Sequence, residues 1–99
     1  MSLDAVTERL KERVGASAGL DKVIKFDFGD DGILRIDDTV SPAVVDNADG
    51  EADLTIEVSL EDFEAIARGE QNPQMAFMMG KLKVNGDMGL AMKLGQILG

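Results

Sequence analysis

The side chains here that could do chemistry are carboxylates, lysines, arginines and hydroxyls, because the 99 residues include no His, Cys, Tyr or Trp. A Ser-His-Asp triad, a thiol nucleophile and a His-ligated zinc are therefore excluded, as is a disulfide framework. A desolvated carboxylate acting as a base beside a carbonyl would need an oxyanion donor, and there is no Tyr to supply one. The run Asp46-Asn47-Ala48-Asp49-Gly50-Glu51-Ala52-Asp53 suggests a calcium loop. Setting Gly50 at the glycine position puts Val45 and Ile56 where the first and last acidic ligands belong. It reads instead as a solvated turn, and no metal is expected. Gly80-Lys81 is no phosphate loop, since Met75 stands where a glycine is needed and Leu82 where Ser or Thr is.

Charge narrows the partners further. Asp27 to Glu70 carries fourteen acids against two bases, net −12, whereas the flanking segments are net +1 and +2. Such a surface does not match nucleic acid, because phosphate binding needs a basic track. Stable anchoring on an anionic membrane is disfavoured for the same reason. No run approaches the ~18 apolar residues of a membrane span, and Met1-Ser2-Leu3-Asp4 does not resemble a signal peptide. One domain over 1–99, cytoplasmic and monomeric, is the expectation.

The elements follow from spacing. Leu3, Val6, Leu10 and Val14 mark a helix, with Ser2 as its cap and Gly15 as its end. Its exposed charges balance, so it packs on the domain rather than on a membrane. Lys22 to Phe28 and Ile33 to Asp37 alternate, joined by a turn at Asp30-Asp31-Gly32, and Ala43 to Val45 adds a short edge strand after Ser41-Pro42. Leu54 to Val58 is a fourth strand. Ser59 opens a helix with Leu60, Phe63, Ile66 and Ala67 on its buried stripe. Asn72-Pro73 starts another helix, Lys81 to Asn85 forms a fifth strand, and Met88 to Leu98 is the last helix. The fold class is α+β, a five-stranded β-sheet with helices covering one face.

The binding chemistry lies in Asn72 to Gly99, which holds five of the six methionines. At ~100° per residue, the apolar side chains of the last helix cover about 220°, from Ile97 and Leu90 through Leu94, Leu98 and Ala91 to Met88 and Met92. Packing on one sheet needs a stripe of only ~100°. Pro73 to Met79 is as apolar, with Gln74 its clearly polar member. Core packing explains part of this, but methionine also adapts to ligands of varied shape. Burying about a dozen methylenes of an acyl chain is worth on the order of 10 kcal/mol before ordering costs. An empty pocket of about 300 Å³ would cost roughly 7 kcal/mol. Without ligand, the methionine helices should therefore partly collapse or move.

The run Asn72-Pro73-Gln74-Met75-Ala76-Phe77-Met78-Met79-Gly80-Lys81-Leu82-Lys83-Val84, followed by Gly86-Asp87-Met88-Gly89-Leu90-Ala91-Met92-Lys93-Leu94, closely resembles the sterol carrier protein 2 (SCP-2) domain. This is also called the non-specific lipid-transfer or sterol-binding domain. Ala52-Asp53-Leu54-Thr55-Ile56, Leu60, Phe63 and Gly69 extend the likeness to nearly the whole chain. The resemblance implies an apolar tunnel between sheet and helices. It implies binding, and transfer, of fatty acids, fatty acyl-CoA, sterols or phospholipids, with no catalysis and no cofactor. The expected lining is Phe63, Ile66, Met75, Phe77, Met78, Met79, Leu82, Met88, Leu90, Met92 and Leu94. A polar headgroup or CoA would meet Lys81, Lys83 or Lys93, which otherwise read as ordinary exposed lysines. Eukaryotic members often end in a Ser-Lys-Leu type signal, whereas this chain ends Ile97-Leu98-Gly99, so a stand-alone bacterial protein is expected. The alternative is a regulatory domain that docks on a larger enzyme, such as one using acyl-CoA, through the same apolar surface.

Overall fold

The computed structural model describes residues 2–15, 19 and 21–98, with the side chains of Arg13 and of 94–98 outside the described set. Helix α1, Leu3–Val14, begins where the Ser2 hydroxyl accepts the Ala5 amide and ends where the Gly15 amide donates to Lys11. Strands β1, Val23–Asp27, and β2, Ile33–Asp37, form the hairpin, joined by a single 3-10 turn at Gly29–Asp31 rather than a tight Asp-Gly turn. Strand β3 is Val44–Asp46, one residue later than its apolar run suggests, because Asp46 takes the ladder position opposite Arg35. Strand β4, Leu54–Val58, is followed by helix α2, Leu60–Ala67, which starts at a Ser59 side chain accepting the Asp62 amide. Then come helix α3, Pro73–Met78, strand β5, Leu82–Gly86, and helix α4, Met88–Leu98. Among the described residues no helix is long and apolar enough to cross a membrane.

The sheet order is β3-β2-β1-β4-β5, antiparallel throughout except where β4 runs parallel beside β1. Strand side chains alternate between faces, and the register aligns Val45, Ile36, Ile24 and Leu54 across one face, with Leu34, Phe26, Ile56 and Val84 beside them. These residues join Val6, Leu10 and Val14 of α1, Leu60 and Phe63 of α2, and Leu90 of α4 in one core cluster. The Phe63 ring meets Phe26 and Phe28 edge-on at centroid distances of 5.0 and 5.3 Å, the T-shaped geometry that aromatic quadrupoles favour. The five-stranded α+β fold is therefore as the sequence predicts.

The opposite face is polar, and the acidic loop crosses it. To reach β4 from the far edge, the chain must pass over β2 and β1. Lys25 donates to Asp49 and to the Gly50 carbonyl, each at 3.0 Å, and Arg35 donates to the Glu51 carbonyl at 3.3 Å. The Lys25 hydrogen bond, the Gly50 amide and the Lys25 charge hold the Asp49 carboxyl below its ordinary pKa. The supposed metal loop is thus a solvated segment, as its failed ligand spacing indicates, and also a strap tied to the sheet.

Candidate functional site

Helix α3 is set down by local chemistry. The Asn72 side chain accepts the amides of Gln74 and Met75, and Pro73 occupies the first turn, where no amide is needed. Its end is closed by Gly80 at φ +77°, with the Lys81 amide reaching back to Ala76 at 2.9 Å and Gly80 to Phe77 at 3.2 Å. The chain turns straight into β5, so α3 lies against that strand. Ala76 is the side chain α3 buries, its small size letting the helix sit close to the sheet. Helix α4 starts after Gly86, whose missing side chain matters. A Cβ there would stand 2.3 Å from the Asp53 carbonyl oxygen. Asp87 then caps α4 by accepting the Leu90 amide at 3.2 Å.

These two helices leave much of their apolar surface open. On the inner face, Leu82 lies opposite Val58 and Val84 opposite Ile56, yet both β5 residues are only half-buried. Above them Met75, Phe77, Met78, Met79, Met88 and Met92 are all exposed, Met78 at 79% and Met92 at 72%. The side chains expected to line a tunnel therefore fall into separate groups. Phe63 and Leu90 are buried in the main cluster with Leu82 packed against it, and Ile66 is buried on α2. The five methionines and Phe77 face solvent. Leu94 belongs to α4, but its side chain lies outside the described residues. Two residues of the same surface were missing from the expected lining. Val84 alternates with Leu82 in β5, which was a legible signal, and Ala91 is half-buried beside Leu90.

At the end of the sheet nearest Gly80, an open pocket of about 440 Å³ is lined by Phe28 and Val58 together with Asp27, Glu57, Ser59, Lys81 and Lys83. Lys81 and Lys83 thus share a site, balanced by two carboxylates, whereas Lys93 stands elsewhere on α4. Sequence spacing did not reveal Asp27 and Glu57 here, because the link depends on the register that sets Asp27 beside Glu57 and Glu57 opposite Lys83. Among the described residues the buried carboxylates are Asp38 and Glu64. Asp38 accepts the Asp21 amide at 3.1 Å, and Glu64 lies 3.7 Å from Arg68. Neither lines the pocket.

A mixed sheet whose helical cover is sealed on one half and apolar but open on the other defines a class of small domains suited to apolar ligands. The chain belongs to the SCP-2 sterol transfer family, whose sequence profile matches residues 3–99. A "Non-specific lipid-transfer protein-like 1" from Caenorhabditis elegans is 34% identical over 106 residues, covering 96% of this chain and 88% of its own. "Sterol carrier protein 2" from Bos taurus is 54% identical over 52 residues, 52% of this chain and 10% of that protein, so the chain spans about a tenth of that longer relative. Among solved structures, palmitated SCP2L2 from Aedes aegypti matches with a TM-score of 0.71 at 28% identity, covering 99% of this chain and 95% of that one. Lipid binding or transfer is the business of the family.

Proposed function

We propose that this protein binds a lipid between the β4–β5 half of the sheet and helices α3 and α4. The ligands in view are a fatty acid, a fatty acyl-CoA, a sterol or a phospholipid. One observation carries the reading: Leu82 and Val84 remain half-buried beneath two helices that together expose five methionines and a phenylalanine. Leaving that much apolar surface wet is costly, at ~25 cal/mol per Å², and patches of this kind mark binding sites. The palmitated state of the Aedes aegypti relative supports a fatty acid as the first ligand to test.

Met75, Phe77 and Met79 flank the buried Ala76 side of α3. With Leu82, Leu90 and Val84 they form the wall that a lipid chain would meet, while Phe63 and Ile66 form its packed floor. Closing α3 and α4 over the chain would order both helices. The pocket at the end of the sheet joins Phe28 and Val58 of the inner face to Asp27, Glu57 and Lys83, which alternate to the outer face, and Lys81 and Lys83 are the cations there that an anionic headgroup would meet. No step here requires catalysis.

Delipidated protein should gain thermal stability on addition of palmitate, and native mass spectrometry should find one lipid per chain. A melting temperature unmoved by fatty acid, sterol and acyl-CoA alike would end this reading. It would favour the second one, a domain that docks on a larger enzyme, which the much longer bovine relative makes worth keeping.

A further inference from the structure

We propose that the open edge of β5 takes up an extended acidic segment of a partner protein as an added strand. The sheet ends in β3 on one side and in β5 on the other, and the two edges differ. Strand β3 is three residues long, and α1 packs beside it. Asn47 at its end donates to the Thr7 hydroxyl and to the Ile33 carbonyl, each at 3.0 Å. Strand β5 is five residues long. Its ladder phase follows from one bond, in which the Asp87 amide donates to the Asp53 carbonyl at 3.4 Å. Backbone groups alternate sides along a strand. Asn85 and Lys83 therefore face β4, and Val84 and Leu82 turn their amides and carbonyls outward. The hairpin gives the same phase. Its bonds from the Phe28 amide to Gly32 and from the Asp38 amide to Lys22 turn Lys25 and Asp27 toward β4, which leaves Thr55 and Glu57 to face β5. Among the described residues no protein group meets the outward amides and carbonyls of Leu82 and Val84. Such an edge is a template for strand addition.

Side chains select the occupant. An added strand would alternate between faces as β5 does. On the inner face its residues would lie beside Leu82 and Val84, which are only half-buried, so those positions call for apolar side chains. On the outer face they would lie beside Lys81, Lys83 and Asn85, all exposed. Glu57 stands opposite Lys83, yet among the described residues neither lysine has an ion-pair partner. These positions call for Asp or Glu, because opposite charges across a ladder attract and like charges repel. Lysines on an edge ordinarily keep other strands away. Here they turn away a basic strand and admit an acidic one. A second copy of the chain fits less well. Gly86, at φ +122°, departs from strand geometry, so the bonding residues are Leu82 and Val84. Pairing these across a two-fold axis would put Lys83 opposite Lys83. The partner is therefore an extended segment in which acidic and apolar residues alternate.

The probe is an acetylated, amidated peptide in which Glu and Val alternate over the length of a strand, with a Lys-Val peptide as its counterpart. Calorimetric titration reads the affinity, and amide exchange followed by NMR reads the place. The Glu peptide should bind and slow exchange at Leu82 and Val84, whereas Lys83 and Asn85 are protected with or without it. N-methylation of one alternate set of peptide amides should abolish binding, and N-methylation of the other set should leave it. Lys81→Glu with Lys83→Glu should weaken the Glu peptide about tenfold and let the Lys peptide bind in its place. Val84→Pro removes an outward amide and no bond to β4, a change that edge strands tolerate. Exchange protection in β1 and β4 should survive it while peptide binding is lost. The proposal is overturned if the Glu peptide does not bind, if it protects amides elsewhere instead, or if the Lys peptide binds the wild type equally well. It is overturned too if both methylated sets bind alike. Protection of Leu82 and Val84 that rises with protein concentration and needs no peptide would assign the edge to a second copy and overturn it as well.

Discussion

The two halves of the inner sheet face are built from the same kinds of residue and end in opposite states. Over β3, β2 and β1, helices α1 and α2 bury Ile24, Phe26, Leu34 and Ile36 to 1% exposure or less. Over β5, helices α3 and α4 leave Leu82 and Val84 half-covered and turn large apolar side chains outward. The helices differ in what they offer the sheet. The α1 helix brings Val6, Leu10 and Val14, one apolar stripe backed by charge. The α3 helix buries Ala76 and keeps its larger residues elsewhere. The sealed half supplies the folding stability, and the open half can then be shaped for something that comes and goes.

The sharpest way to break the contrast is to damage the sealed half. Phe26→Ala removes a ring packed edge-on against Phe63 and stacked with Phe28 at 6.2 Å. It should cost ~3–5 kcal/mol, a large part of the stability of a domain this size. Urea unfolding would read it, and lipid binding should vanish with the fold. A loss below about 1 kcal/mol would mean that Phe26 is not in a tightly packed core. Gly86→Ala tests the joint between the halves. Its φ of +122° is strained for any L side chain, and the Asp53 carbonyl would have to shift. About 2 kcal/mol is expected, with β5 and α4 displaced together, visible as hydrogen-exchange protection lost there and retained in β1 and β2.

The fold was largely legible because its signals are local. Alternation marks the strands, and Ser2, Gly15, Ser59 and Asn72 mark helix ends that the structure uses. The parallel pairing of β4 with β1 was not legible, since nothing within β4 distinguishes that neighbour from β3. The site was harder. A helix apolar over most of its circumference gives no phase, so α4 could have been turned either way. In α3 hydrophobicity points the wrong way, because Ala76 is buried and Met78 is not. Close approach to β5 rewards the smaller side chain, and size rather than polarity chose the face.

Substitutions on the flanks of the open half should do the reverse of Phe26→Ala. Phe77→Ser alters a side chain 46% exposed without ligand, so the delipidated protein should lose about 1–2 kcal/mol, less than Phe26→Ala costs. If a lipid chain covers that ring, fatty-acid affinity should fall by roughly tenfold, as burial of about half an aromatic side chain implies. Titration of a fluorescent fatty acid reads the affinity, and unchanged binding would move the ligand away from α3.

The smallest effect belongs to the strap on the outer face, and pH gives it a sign. Asp49 is fully exposed, and its carboxyl is held below the ordinary carboxylate value first by the Lys25 hydrogen bond, then by the Gly50 amide and the Lys25 charge. A depressed pKa in the folded state means that ionised Asp49 favours folding. That contribution is complete above the unfolded value, near pH 4, and disappears as pH falls through the lower folded value. Asp49→Asn should therefore be slightly less stable than the wild type from neutral pH down to about 4, and the gap should close below it. High salt should narrow the gap at neutral pH as well, because the pair is screened by solvent. Urea midpoints from neutral to strongly acid pH would show it. No gap at neutral pH would mean that the strap is held by its backbone contacts alone, the Gly50 carbonyl to Lys25 and the Glu51 carbonyl to Arg35. In either case fatty-acid binding should be untouched, because the sheet lies between this loop and the open half.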